Sequence, residues 1–388
     1  MARSNKVGPP VTGDDFYGRI NELARAHELL DSNHSLVLSA PRRIGKSSFA
    51  KRLIEDKTRQ GWKCVYVDLE GIRTQDEFLR SLITKFTASG IWTDTANAAG
   101  SVLSGILESV KGIGAVKFDF SNFKTPENLY QSLAALIDHD RDTLIVIDEL
   151  TLFLGITERG TGNTDESSFF LNWFRSLRQV DHSRIRWIFC GSVGLHNFTR
   201  TRRLSMTIND LMELSFDAMG PEEAAGLVKA LAEAEGINMD DSILKAFLDQ
   251  LNWYIPSFIQ LLFITVKQNT PKGENIKLST IQESFRQIAR SESLSTWSER
   301  MGEYNGQEKG ARFILRLLAT SGEGIDRNQL LESYMHTMHS EDELDADMEL
   351  SDILNMLEHD GYILRTDDGK RKFRSPLLKE WWRYKFLG

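Results

Sequence analysis

The sequence SAPRRIGKSSF (residues 39–49) joins an apolar, strand-like run at 35–39 to an amphipathic helical pattern at 46–55. A turn between a strand and a helix is the setting of the phosphate loop G-x-x-x-x-G-K-[ST]. Ala40 stands in the place of the first glycine, and Pro41, Arg42, Arg43 and Ile44 fill the variable positions before Gly45, Lys46 and Ser47. Gly45 lets the backbone approach a phosphate, and the N–H groups of the helix start, through Ser48, face the anion. Lys46 is expected to bridge the β- and γ-phosphates of ATP, and the Ser47 hydroxyl to ligate Mg²⁺.

A second motif supports this reading. In TLIVIDEL (residues 143–150) four consecutive branched apolar residues describe a strand buried on both faces. Asp148, at its C-terminal end, is the expected second Mg²⁺ ligand, and Glu149 is placed to act as general base on the attacking water. In IRWIFCGSVGL, Ser192 follows a third apolar strand, where a polar side chain is expected to sense the γ-phosphate. Downstream, the run RTRR offers Arg200, Arg202 and Arg203. One of them, Arg200 and Arg203 foremost, is a candidate arginine finger on a neighbouring subunit, because a fixed guanidinium stabilises developing phosphate charge.

Strands at 35–39, 63–69, 143–148, 186–190 and near 214–216 alternate with helical patterns, which predicts an α/β core with a parallel sheet. Between the second and third strands, residues 87–124 read as an insertion with a helix and a short strand or hairpin. Residues 221–270 are helical. From about 307 the pattern becomes three helices, and two short alternating runs then flank a turn at 367–369, the order of a winged helix. The expected organisation is a flexible arm (1–15), an ATPase core (16–220), a helical lid with a connecting helix (221–306) and a winged-helix domain (307–388).

The 388 residues are 41% hydrophobic and 26% charged, the balance of a globular chain. No run of 18 apolar residues is present and the first residues lead into no apolar signal segment, so a cytoplasmic location without membrane contact is expected. Cys64 and Cys190 lie far apart in apolar runs and read as small core residues. His336 and His339 share a helical face without a third ligand nearby, so a metal site there is not expected. Trp381, Trp382 and Phe386 are expected to pack the last helix onto its domain.

FYGRINEL, APRRIGKSS, LIVIDEL, FCGSVGL, NDLMELSF and YIPSFIQLL, in that order over about residues 16–270, resemble the archaeal-ATPase family on the STAND and AAA+ side of the P-loop NTPases. RKFRSPLLKEWWRYKF looks like the end of the winged helix that many members carry. The resemblance implies a five-stranded parallel core with an extra strand between the two nucleotide motifs, followed by a helical lid. It also implies that Gly18 and Arg19 lie beside the adenine and that Pro256 belongs to the lid motif. Tyr254 and Ile255 stand where members usually have glycine, and no arginine occupies that motif.

The family's domain combination raises DNA as a partner, through Lys370, Arg371, Lys372 and Arg374 of the hairpin, with Arg383 and Lys385 beyond. Net charge points elsewhere. The whole chain carries −8, and residues 341–360, around the expected recognition helix, hold nine acidic residues and no lysine or arginine. Residues 308–388 hold 12 basic and 16 acidic residues. Such a surface repels phosphates. The expected function is therefore an ATP-binding, slowly hydrolysing switch, with Mg-ATP between core and lid, acting on a protein partner or on its own assembly. The alternatives are a DNA-binding AAA+ ATPase of replication initiation or transposition, and a nucleotide-binding scaffold that never hydrolyses.

Overall fold

The computed structural model describes residues 5–91, 130, 131, 133, 134, 137–162, 164–191, 194–304, 306–339 and 342–387. The expected helix and strand of the insertion, and Ser192, lie outside the described residues. The chain divides into two compact units. One comprises residues 20–39 and 49–215, the other residues 1–19, 40–48 and 216–388. In this division the phosphate loop and the N-terminal segment group with the C-terminal helices.

In the first unit, α1 (Ile20–Asp31) precedes β1 (Leu36–Ser39). The helix α2 (Lys46–Arg59), which begins in the other unit, leads to β2 (Lys63–Asp68) and α3 (Gln75–Ser89). β3 (Thr143–Asp148), α4 (Leu150–Thr161), α5 (Asp165–Arg178), β4 (Ile185–Cys190), α6 (Leu195–Thr201) and β5 (Met212–Ser215) complete it. The strands form one sheet in the order β2-β3-β4-β1-β5, and every pairing is parallel. β4 therefore lies between β1 and β3, as the family resemblance implies. All strands point the same way, so Ser39 and Asp148 end their strands at one edge, the edge where open parallel sheets receive ligands.

Alternation within the buried strands separates two apolar faces. Val37, Val65, Val67, Ile145, Ile147, Trp187 and Phe189 meet α3, α4 and α5 on one of them. The filling there is aromatic: Phe78 stacks on Phe153 at 5.1 Å between ring centroids and meets Phe170 edge-on at 5.2 Å. Removing one such ring costs about 3–5 kcal/mol. α3 begins at Thr74, whose hydroxyl accepts from Glu77 N, and ends at Gly90 in the left-handed region, so the expected start of the insertion at Thr87 lies within a helix.

The second unit is helical: α7 (Pro221–Ala234), α8 (Asp241–Leu251), α9 (Pro256–Asn269), α10 (Leu278–Ala289), α11 (Ser295–Glu299), α12 (Glu308–Thr320), α13 (Arg327–Met338) and α14 (Glu343–His359). An antiparallel hairpin of β6 (Ile363–Arg365) and β7 (Arg371–Phe373) follows, then α15 (Pro376–Leu387). Three helices thus precede the hairpin, and Ile325 bridges to Arg371. Trp253, Trp297, Tyr362 and Trp382 form a continuous chain of ring contacts at 5.1–6.4 Å, so α11, the segment before β6 and α15 share one core. Trp381 and Trp382 are fully buried, as expected of packing residues.

Candidate functional site

The loop after β1 explains why alanine serves at its first position. Positive φ falls at Arg43 (59°) and Gly45 (101°), not at Ala40, so only Gly45 sits where a side chain is strongly disfavoured. Ala40, Ile44 and Lys46 are buried. α2 begins at Lys46, so the backbone N–H groups of Lys46, Ser47 and Ser48 are first-turn donors at the positive end of the helix. The Lys46 ammonium donates to Ala40 O at 2.7 Å and to Pro41 O at 3.0 Å, which holds its charge over the loop. The Ser48 hydroxyl accepts from Val11 N at 3.0 Å, and Asn5 donates to Gln260 O at 3.1 Å. The N-terminal segment is thus tied to the loop and to α9 and is not the loose arm expected.

Sequence alone did not reveal that the same loop is held by the C-terminal helices. Arg42 donates to Thr296 O at 2.7 Å and Arg43 to Thr296 Oγ1 at 2.9 Å. Arg42 N donates to Asp360 O at 3.4 Å. Gly361 leaves room for Pro41: a Cβ there would meet Pro41 Cβ at 2.8 Å and Trp253 Cη2 at 2.9 Å. The Asp360 carboxyl, at the end of α14, is 6% exposed and accepts from the Tyr304 hydroxyl at 2.7 Å. Burial pushes it up to about 6, against the opposing influence of that hydrogen bond and of the charges on Lys46, Arg42 and Arg300. Burial also pulls the Arg43 guanidinium down, with Arg300 adding to it.

Gly18 and Arg19 both take positive φ, and the Arg19 N–H donates to Glu223 Oε1 at 2.6 Å, near the start of α7. The buried Arg19 guanidinium lies 5.0 Å from the Phe216 ring. Pro256 opens α9, where a missing N–H costs nothing. Ile255 before it is fully buried and Tyr254 O accepts from Met219 N at 3.0 Å, so the residues replacing glycine serve the core.

In the sheet unit, Asp148 is 3% exposed and its Oδ2 accepts from the Tyr66 hydroxyl. Glu149 takes φ 55°, ahead of α4, and its N–H donates to Asp148 Oδ1 at 2.9 Å. This strained turn leaves the Glu149 side chain half-buried at the strand end. Asp68 stands opposite Asp148 in the β2–β3 register, and partial burial, then the charges of Asp148 and Glu149, hold its carboxyl above the usual range. Asp68 was legible in principle, since it ends its strand as Asp148 does. No cluster of three metal-ligating side chains forms among the described residues, His336 and His339 included.

The arginines separate by environment. Arg202 forms a bidentate pair with Glu158 at 2.6–2.8 Å and lies over Phe198 at 3.7 Å, which makes it structural. Arg200 is exposed and donates to Asn197 Oδ1 at 2.9 Å, and Arg203 is held at φ 58° just past α6. The hairpin cations offer less to a partner than expected. Arg371 is buried and pairs with Glu358 at 2.7 Å, Arg374 pairs with Asp217 at 2.9 Å, and Lys370 pairs with Asp368 at 3.0 Å. Lys372 is exposed. Cys64 and Cys190 are both unbridged. No helix among the described residues is long and apolar enough to cross a membrane.

Residues 30–198 match the family model described as an AAA domain. No match was found among curated proteins. Among solved structures, the Walker-type ATPase of Pyrococcus abyssi is similar over 98% of this chain and 99% of that one, with a TM-score of 0.66 at 14% identity. The Aeropyrum pernix ORC1 protein, solved in complex with DNA, gives 0.46 at 15% identity over 96% and 94% of the two chains. The Thermotoga maritima RuvB Holliday junction branch migration motor gives 0.44 at 14% identity over 94% of each. With its parallel five-stranded sheet and its phosphate-loop helix, the chain has the α/β fold of a P-loop NTPase core.

Proposed function

We propose that the protein is a Mg-ATP-dependent switch whose phosphate loop reports directly to its own C-terminal helices. One observation carries this reading: the phosphate loop is bonded to the C-terminal helices, Arg42 N donating to Asp360 O at 3.4 Å and the Arg42 and Arg43 guanidinium groups to Thr296, beside the buried Asp360 carboxyl on which the charges of Lys46 and Arg42 act. The residues present fit the ligand. Gly45 supplies the required backbone turn, the α2 N-terminus supplies donors, and Lys46 supplies a positioned charge.

In this reading Lys46 and the first-turn N–H groups bind the β- and γ-phosphates, and Arg19 and Gly18 border the base. Ser47 and Asp148 are the residues that would hold Mg²⁺, which supplies charge neutralisation at the phosphates when bound. Glu149 takes the proton from the attacking water, and Arg200 and Arg203, both exposed, are the finger candidates. A phosphate at Lys46 attracts the cation and repels Asp360. Both effects bias the loop against its contact with the end of α14, so ATP binding is read out as movement or loosening of α11 and α14.

The test is turnover and binding of two variants. Lys46→Ala abolishes Mg-ATP binding in calorimetry. Glu149→Gln binds Mg-ATP with unchanged affinity and turns over about 10²–10⁴-fold more slowly. Unchanged turnover in Glu149→Gln refutes the base assignment, and absence of turnover in the wild type leaves a binding switch without hydrolysis.

A further inference from the structure

Net charge conceals a strong segregation in the helical unit. α13 and α14 together carry seven acidic residues and one arginine. α10, α12 and α15 together carry seven basic and three acidic residues, and Arg290 caps the end of α10. α10 and α12 both pack on α15, so their charges lie on one contiguous assembly.

Two cavities open on that assembly. Arg286, Arg290, Arg383 and Tyr384 line one, and Lys309, Arg312, Phe313 and Arg316 line the other. Thr320 and Leu387 border both, so the two adjoin along one face of the assembly. The side chains of Arg286 and Lys309 are exposed and form no hydrogen bond or ion pair among the described residues, whereas Arg312 pairs with Glu308 at 2.8 Å and donates to Ser298 O at 2.9 Å. Arg316 donates to Phe386 O at 3.3 Å, and Arg383 to Glu380 Oε1 at 2.9 Å, the acidic exception in the lining. Tyr384 is 54% exposed, with the Arg290 guanidinium 6.0 Å from its ring.

We propose that this face binds the phosphodiester backbone of a single nucleic-acid strand. Guanidinium forks match phosphate oxygens in pairs, and a row of them along a groove tracks a backbone. The exposed Tyr384 ring supplies a stacking surface for an unpaired base. The acidic α14 opposes insertion into a duplex groove, and the engaged hairpin cations leave little to hold one. The site is thus distinct from the hairpin surface expected of a winged helix.

The experiment uses the full chain and a fluorescent 20-nucleotide oligothymidine, with anisotropy titrations at several salt concentrations. About four phosphate contacts give a slope of about −3 in log K against log salt, at roughly 0.7 per contact. The triple variant Arg286→Gln/Arg290→Gln/Arg316→Gln makes the slope shallower by about 2 and weakens binding at least about tenfold. Lys370→Gln/Lys372→Gln leaves both unchanged. Ultraviolet crosslinking of the wild-type complex, mapped by mass spectrometry, places the strand at residues 286–290, 309–316 and 383–384, and needs no variant to fold. Crosslinks confined to the hairpin, tighter binding of duplex than of single strand, or competition by polyglutamate at equal charge overturns the proposal.

Discussion

Replacing Asp360 by asparagine removes one charge and little volume at the contact between the phosphate loop and α14, and its consequences have a calculable pH dependence. Burial moves the carboxyl from its ordinary 3.8 up to about 6. That displacement corresponds to about 3 kcal/mol. Below about pH 4 the group is protonated in folded and unfolded chains alike and contributes nothing. Between about pH 4 and 6 the folded chain keeps a proton that the unfolded chain has lost, so wild-type stability falls as pH rises. Above about 6 the loss is complete. Asp360→Asn is neutral throughout, so its advantage over wild type grows from near zero at pH 4 to about 3 kcal/mol at pH 7.5. Urea unfolding of both proteins at pH 4.5, 5.5, 6.5 and 7.5 reads the gap. The variant also binds Mg-ATP more tightly at pH 7.5, since losing the carboxylate frees Lys46 and removes a repelling charge. A stability gap that stays constant with pH, or weaker nucleotide binding, refutes the placement of an ionised Asp360 against the loop.

Other perturbations separate the parts of the account. Gly361→Ala drives a Cβ into Pro41 and Trp253 at a residue with φ 85° and is expected to cost about 1–3 kcal/mol, seen as a lowered urea midpoint. Arg202→Ala leaves Glu158 buried without its bidentate partner and costs about 3–5 kcal/mol, whereas Arg200→Ala leaves stability unchanged and slows turnover, which thermal unfolding and phosphate release distinguish. Arg43→Ala removes the bond to Thr296 Oγ1, and protease cleavage within residues 295–304 then becomes faster without loss of Mg-ATP binding. Tyr304→Phe removes a hydrogen bond that favours the ionised carboxylate, so the pH-dependent loss of stability extends above pH 6.

The parallel core was legible because its signals are local. Four branched residues in a row mark β3, and a loop with lysine and serine after an apolar strand marks the start of α2. The order of the C-terminal elements was legible for the same reason: amphipathic periods gave α12 to α14, and Asp367–Gly369 gave the turn. The connections made across the chain were not. Asp360 counted as one more acid of a solvated helix, and only the fold shows it buried beside Lys46. Arg371 and Arg374 looked available because their partners, Glu358 and Asp217, lie 13 and 157 residues away. The net charge of residues 308–388 misled in a further way. It averaged an acidic helix pair with a basic one and left out α10, whose arginines join the basic side only after folding.

The most direct test of the central claim is amide hydrogen exchange with and without Mg-ATP, in the wild type and in Lys46→Ala. The account predicts protection at residues 40–48 together with faster exchange at residues 295–304 and 355–362, and no change at either place in Lys46→Ala. Protection of residues 40–48 with exchange at residues 295–304 and 355–362 unaltered would mean that the nucleotide is bound without the C-terminal helices sensing it, and would contradict the switch.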